Sequence, residues 1–521
     1  MRLFPFSRND TERFTKALSI LDGSVQRYSA TSATWFFDAP QPQATLPTLS
    51  ISLRKVLDVY PQWAGSLHMP NSKVAPDSAP HTQRFNRPQL TWGSPNDPGV
   101  EFIEAHSPLN LSLLPSPAER AKVHRVWDAS VVASLGTLSD TPKLALHDQV
   151  SSEGLPCMVV QATTFADGGI AIAVKLAHPL ADAHTLLTFV HDWASIHRGL
   201  PAPSREFAPE LLDQLAEGNI DASAPNPEII ARSIDVPLHR FDWWASATPD
   251  CPPYMLPQTM IPPPLATYSD LPVKLGRPLP WKSWDIMSPV QYYIIHFSYS
   301  EIMNIWKAAV PALSDAAKIS KLDALLAHIW TLIIRARNLS LDDSVVNLDV
   351  TIGLRQRLSP RLPTHFLGSP LLNIPVSQPA SQVSIASAAD IRTSMALYNS
   401  SALGALLHEM AYEIDPSRRW NAFLGERHTI VTSWLETWTG MAAYDVDFGF
   451  GSKPRMVDPL MPETDGCVQI MESGSESDGT PLPDTSSNWY NTGVSVSFHL
   501  REDVMARLLN DPWLRKHDLP N

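Results

Sequence analysis

His178 and Asp182, in the run His178-Pro179-Leu180-Ala181-Asp182, are the side chains of this chain best placed to do chemistry. An imidazole that is neutral near pH 7 can accept a proton from a hydroxyl or amine as that group attacks an electrophile. A carboxylate one short turn further on can anchor the local backbone by pairing with a distant cation, or it can cap the helix that follows. Such a pair recurs by chance in long chains. Its meaning depends on the elements that hold it.

Residues 158–165 are rich in β-branched and aromatic side chains. Asp167-Gly168-Gly169 then turns the chain into a second apolar run, 170–177, so the pattern predicts a hairpin. Residues 182–198 carry Leu186, Leu187, Phe189, Val190, Trp193 and Ile196 at helical spacing, and Gly199 marks the stop. His178 therefore lies at a strand-to-helix junction, held by the strand and free to face a cleft. Elsewhere a helix is expected over 50–60, ended by Pro61, and strands over 292–298 and 345–352. Two further helices are expected over 299–310 and 320–337, the second striped by Leu322, Leu325, Leu326, Ile329, Trp330 and Ile333. Residues 200–283 loosen into a connection punctuated by Pro201, Pro203, Pro209, Cys251-Pro-Pro-Tyr254 and Ile261-Pro-Pro-Pro264. A polar loop is expected over 472–488. The alternation is of the α/β kind. It divides the chain into a first domain over 1–205, a crossover linker over 206–283 and a second domain over 284–521.

A chain of 521 residues exceeds one ordinary core, and 44% apolar residues with 16 Trp specify a well-buried globular protein. The 48 Pro against 22 Gly imply stiffened loops. The net charge of −13, without a cluster of Lys and Arg, argues against a nucleic-acid partner. Cys157, Cys251 and Cys467 are odd in number and lack CxxC spacing, which fits a reducing compartment rather than a disulfide framework or zinc site. His184, His191 and His197 share the helix after the motif, but without the i, i+4 convergence and carboxylate of a zinc site, so no metal is expected. No stretch reaches the roughly 18 apolar residues of a membrane span. A cytoplasmic monomer is the expectation.

Several blocks, taken in order, carry a family resemblance. The first is Tyr60-Pro-Gln-Trp-Ala-Gly65. The second runs from Gly168 through His178-Pro-Leu-Ala-Asp182 to Trp193. The third is Lys321-Leu-Asp-Ala-Leu-Leu-Ala-His-Ile-Trp330 with Arg335-Ala-Arg337. The fourth is Gly353-Leu-Arg-Gln-Arg-Leu-Ser-Pro360, followed by Phe366-Leu-Gly-Ser369. The last is Thr432-Ser-Trp434 leading to Asp447-Phe-Gly-Phe-Gly451. Together they resemble the BAHD acyltransferases, especially the fungal branch related to trichothecene acetyltransferases. The likeness implies two chloramphenicol-acetyltransferase-like domains, with mixed sheets flanked by helices and an active-site tunnel at their interface. It implies an acyl-CoA donor, acetyl-CoA here, as co-substrate rather than a bound cofactor, and a small-molecule alcohol or amine as acceptor.

The resemblance also implies roles for particular residues. His178 is the general base, and no covalent acyl-enzyme is needed because a thioester is already activated. Asp182 supports the histidine loop by pairing with an arginine, for which Arg355 is the first choice and Arg357 the second. Thr432, with Trp434 as a second choice, matches the position that steadies the oxyanion. Asp447, Gly449 and Gly451 form a loop remote from the histidine. Lys318, Ser320 and Lys321 precede the donor-side helix. Two departures stand out: Ala183 replaces the usual Gly after the aspartate, and Phe450 replaces the usual Trp. Ala183 is harmless if that position is the first turn of the helix and strained if it needs positive φ. Competing readings are an N-acyltransferase, transfer from a carrier protein as in condensation domains, and a binding protein without catalysis. Ala177, where condensation domains carry a second His, argues against the carrier-protein reading.

Overall fold

The computed structural model describes the chain apart from residues 9–11, 40–45, 70–78, 85–86, 138–153, 247, 262–274, 285–287, 311–317, 423–424, 436–439, 475–487 and 519–521. Pro262 to Pro264 and most of the expected polar loop lie outside the described residues.

Two mixed sheets organise the α/β architecture. In the first, six strands run in the order Arg2–Leu3, Val100–Ser107, Met158–Phe165, Ile170–Leu176, Thr31–Phe37 and Met456–Pro459. In the second, seven strands run in the order Leu371–Pro379, Val345–Gly353, His428–Ser433, Cys467–Glu472, Val494–Arg501, Val290–Phe297 and Val126–Asp128. The sheets exchange edges. A strand from late in the chain, Met456–Pro459, completes the first sheet, and an early strand, Val126–Asp128, completes the second.

The expected hairpin forms, with Thr164 opposite Ile170 and Gly168 at φ 86° in its turn. Period-two alternation gives each strand of the first sheet two faces. Trp35, Phe37, Ile172 and Val174 pack against Leu186, Phe189, Val190 and Trp193 of the helix Ala183–His197. The second sheet buries Leu348, Val350, Val431, Val468 and Phe498 under the helix Lys321–Ala336. The helix expected over 50–60 runs instead from Leu46 to Leu57. It admits Pro47 in its first turn, where no intrahelical donor is lost, and it ends before Tyr60, whose ring stacks on Trp63.

Residues 206–283 are more than a connection. Phe241, Trp243, Trp244, Cys251, Leu279 and Trp281 form a small core of their own. Phe241–Asp242, Arg277–Pro278 and Arg419–Trp420 make a three-stranded sheet beside it.

The second faces of the two large sheets turn toward each other. Phe36 and Ala171 of the first meet Ile294 of the second in one apolar cluster, and the Tyr292 hydroxyl donates to Asp458 across the seam at 2.5 Å. Around these contacts the facing surfaces bury polar side chains, among them Ser32, Thr34, Gln469, Ser497 and His499. The candidate residues His178 and Thr432 lie along this seam.

Candidate active site

His178 begins a short 3-10 turn, His178–Leu180, directly after the strand Ile170–Leu176. The ring is half-buried, with Tyr28 edge-on at 5.4 Å. Ser369 fixes its tautomer. The Ser369 hydroxyl donates to the His178 carbonyl at 2.5 Å, so its oxygen is left to accept from Nδ1–H at 3.3 Å. Nε2 then carries the free lone pair. Burial lowers the His178 pKa to about 4, partly opposed by the ring's bond to its own carbonyl and by the Asp182 charge. A neutral imidazole with Nδ1 protonated and Nε2 bare is a proton acceptor at pH 7.

Ser369 is itself held in place. Its backbone N–H donates to Asp22 at 2.6 Å, and the other Asp22 oxygen accepts from the Ser19 hydroxyl at 2.6 Å. Asp22 is fully buried, and desolvation, only partly offset by these bonds, lifts its pKa to about 6. Gly368, at φ 140°, lets the chain pass Asp22; a β-carbon there would sit 2.7 Å from Asp22 Oδ1.

The Asp182 carboxylate is engaged by the backbone and by an arginine. It is the N-cap of the helix Ala183–His197, accepting from the Thr185 N–H at 2.9 Å. Its carboxylate also makes a two-pronged pair with Arg355, at 2.5 and 3.0 Å. Burial pushes the Asp182 carboxyl up, and the Arg355 charge and hydrogen bonds outweigh that, holding it below the ordinary range. Arg355 also donates to the carbonyls of Phe366 and Gly368 and to the Thr185 hydroxyl, so one guanidinium ties the histidine loop to the Ser369 loop. Arg357 does not reach this network; it donates to the Met395 carbonyl at 3.0 Å. Ala183 is the first residue of the helix, and Asn338 is the one non-glycine residue with positive φ among the described residues. The Gly-to-Ala departure is therefore free of strain.

Thr432 stands half-buried on the strand His428–Ser433, on the face turned toward the first sheet. Register places it in a row of polar side chains across the second sheet. Asn373 lies opposite Thr351, Thr432 opposite Gln469, and Gln469 opposite Ser497. Val350 pairs with Val431, so Thr351 and Thr432 are the next positions on adjacent strands. Asn373 donates to the Tyr28 hydroxyl at 2.9 Å, which links this row to the ring beside His178. Trp434 is buried with Met471 in the core of the first sheet, a place for an apolar wall rather than an oxyanion donor.

Asp447 lies at the far end of the helix that Asp182 caps. It pairs with Arg198 at 2.6 Å and accepts from the Gly449 N–H at 2.7 Å. Gly449 and Gly451 take φ of 78° and 83°. Phe448 and Phe450 stack at 5.5 Å and bury against Phe37, Trp193 and His197. The Phe450 ring fills the space without needing a polar partner. Of the donor-side residues, Ser320 caps the helix Lys321–Ala336 through Asp323, and the Lys321 ammonium sits over Trp306 and Tyr490 at 4.8 Å from each. Lys318 is exposed.

His184 and His191 contact the carbonyls of Thr364 and Ala442, and His197 contacts Ser52. Sequence reasoning passed over a different group, His239, Asp349 and His428. These come from the crossover and adjacent strands and bring their ligand atoms within 4.8 Å of one another. Each Asp349 oxygen takes one imidazole, His239 at 2.7 Å and His428 at 3.2 Å. Burial raises the Asp349 carboxyl and these bonds more than reverse that. The cluster is satisfied by its own hydrogen bonds. It was illegible because nothing in a strand's alternation names the loop that covers it.

Two facing α/β domains, a neutral histidine at their seam and a glycine loop at the far end of its helix define an acyltransferase of the BAHD type. The Transferase family profile matches residues 3–216 and 294–483, and the chain belongs to that family. Acyltransferase AFT15-1 of Alternaria alternata is 27% identical, over 96% of this chain and 94% of its own length. Acyltransferase abl6 of Leptosphaeria maculans is 25% identical, over 98% and 96%. Hydroxycinnamoyltransferase 2 of Oryza sativa is 26% identical over 73% of this chain and 74% of its own. Among solved structures, F. sporotrichioides TRI101 complexed with coenzyme A and T-2 has a TM-score of 0.65 at 15% identity, with 96% of this chain and 98% of that one covered. Vinorine synthase has a TM-score of 0.57 at 18% identity, with 97% and 95% covered. These structures share the fold.

Proposed function

We propose that this enzyme transfers an acyl group, acetyl in the first instance, from coenzyme A to a hydroxyl of a fungal-type secondary metabolite. The tied tautomer of His178, with Nε2 bare and its pKa lowered to about 4, is the observation that carries this reading. Nε2 takes the hydroxyl proton as the oxygen attacks the thioester carbonyl. The oxyanion forms beside Thr432, whose hydroxyl donates to it. Collapse of the tetrahedral intermediate expels the coenzyme A thiolate, which recovers the proton from His178. Asp182 and Arg355 keep the loop in register throughout. Lys318 contributes charge toward the phosphates of the donor. Two fungal relatives, both acyltransferases matched over nearly the whole chain, support this reading, as does the coenzyme A in the TRI101 complex.

Incubation with acetyl-CoA and a panel of hydroxylated and amine acceptors should release free thiol together with an O-acetylated product. Absence of acceptor-dependent thiol release with every acyl-CoA tried would overturn the proposal. Turnover confined to amine acceptors would overturn the choice of a hydroxyl.

A further inference from the structure

Gln469 is only 2% exposed, yet neither its amide nitrogen nor its amide oxygen has a partner among the described residues. A buried carboxamide with both ends unmet carries a desolvation cost that a methionine of similar size would avoid. It stands opposite Thr432 on the neighbouring strand, on the face turned to the first sheet. Ser32 Oγ, on the first sheet, and His499 Nδ1, on the second, are also buried without hydrogen-bond partners among the described residues. The seam therefore holds polar groups that its own residues leave unanswered.

On the proposed acyl-transfer reading, we infer that Gln469 is a donor-binding residue that hydrogen-bonds the pantetheine amide nearest the thioester of coenzyme A. A carboxamide offers one acceptor and two donors, and a secondary amide presents the complementary N–H and C=O. The polar row gives the direction. Tyr28 and Asn373 lie at the His178 end, Thr432 follows, and Gln469 is one strand further out. Adjacent strands are about 4.8 Å apart. A sulfur and two methylenes separate the thioester carbonyl from that amide nitrogen, a reach comparable with one such step. With the carbonyl at Thr432, the amide falls at Gln469. The acceptor then approaches from the other end of the row.

Gln469→Met keeps the volume and removes the amide. Acetyl-N-acetylcysteamine retains the pantetheine amide, whereas S-pentyl thioacetate lacks it. In the wild type the first donor should be favoured in kcat/KM by about tenfold or more, the effect of hydrogen bonds made to an otherwise unpaired buried group. In Gln469→Met that preference should shrink at least fivefold, and the Kd for free coenzyme A, read by calorimetry, should rise by a similar factor. The melting temperature of the ligand-free variant should stay level or rise, because an unpaired amide is removed. An unchanged donor preference with an unchanged coenzyme A Kd would overturn the assignment, since a trapped water would then satisfy the amide. A change confined to the acceptor KM would also overturn it. If no donor supports turnover at all, the acyl-transfer reading falls, and the coenzyme A Kd alone still decides Gln469.

Discussion

At the scale of single residues, the tautomer of His178 is set by a neighbour that sequence reasoning did not assign. The strand-to-helix junction set His178 apart in the sequence, and only the ordered blocks of the family resemblance gave it a role. Ser369 was visible only as part of the Phe366-Leu-Gly-Ser369 block, because its role depends on a loop from the other half of the chain arriving at His178. Ser369→Ala should leave the fold intact and free the imidazole to rotate or change tautomer. A drop in kcat/KM of about tenfold, with the acceptor KM less affected than kcat, is expected from steady-state kinetics. The depressed pKa sets a pH signature. A base whose pKa falls from 6.5 to about 4 stays unprotonated as pH drops through the usual histidine range. The acid limb of kcat/KM should therefore lie well below 6.5, and a limb centred at 6.5 would contradict the burial of His178.

At the scale of elements, the helix Ala183–His197 is the strut of the site. With about 1.5 Å per residue, its 15 residues hold the two family motifs at opposite ends, Asp182 at the start and the Asp447 loop beyond its finish. On the proposed mechanism the first motif carries the chemistry and the second braces the far end of the same helix. Asp182→Ala removes a cap and leaves Arg355 buried and unpaired, which should cost about 3–5 kcal/mol in denaturant unfolding. Asp447→Ala breaks a half-exposed pair with Arg198 and should cost under about 1 kcal/mol, with little effect on kcat. A large rate loss at Asp447 with unchanged stability would place that loop in the chemistry and contradict the strut. Helix and strand types were legible because their apolar periods are strong. The start of the early helix was not, because a proline in the first turn reads as a stop when it is a permitted entry.

At the scale of the whole molecule, the domains are interlocked rather than serial. Each large sheet takes an edge strand from the other half of the chain. The period of a strand says nothing about which sheet it will join, so this exchange could not be read beforehand. The crossover looked like a linker because its tryptophans follow no period, yet they close a small core of their own. The facing polar surfaces escaped notice for a related reason. Thr432 stood out only through the family resemblance, and Gln469 and His499 read as ordinary strand positions until the opposite sheet is in place. Residues 1–283 and 284–521 expressed separately should be insoluble or molten, because each would lack an edge strand. Cooperative unfolding of either piece alone, seen by calorimetry, would contradict the interlock.

The central claim, that the bare Nε2 of His178 takes the acceptor proton, meets its most direct test in His178→Ala. Thiol release should be measured at saturating acetyl-CoA and acceptor alongside the coenzyme A Kd. The expected result is a fall in kcat of at least about a hundredfold, with the Kd unchanged within about twofold. Turnover within about tenfold of wild type in His178→Ala would contradict the account.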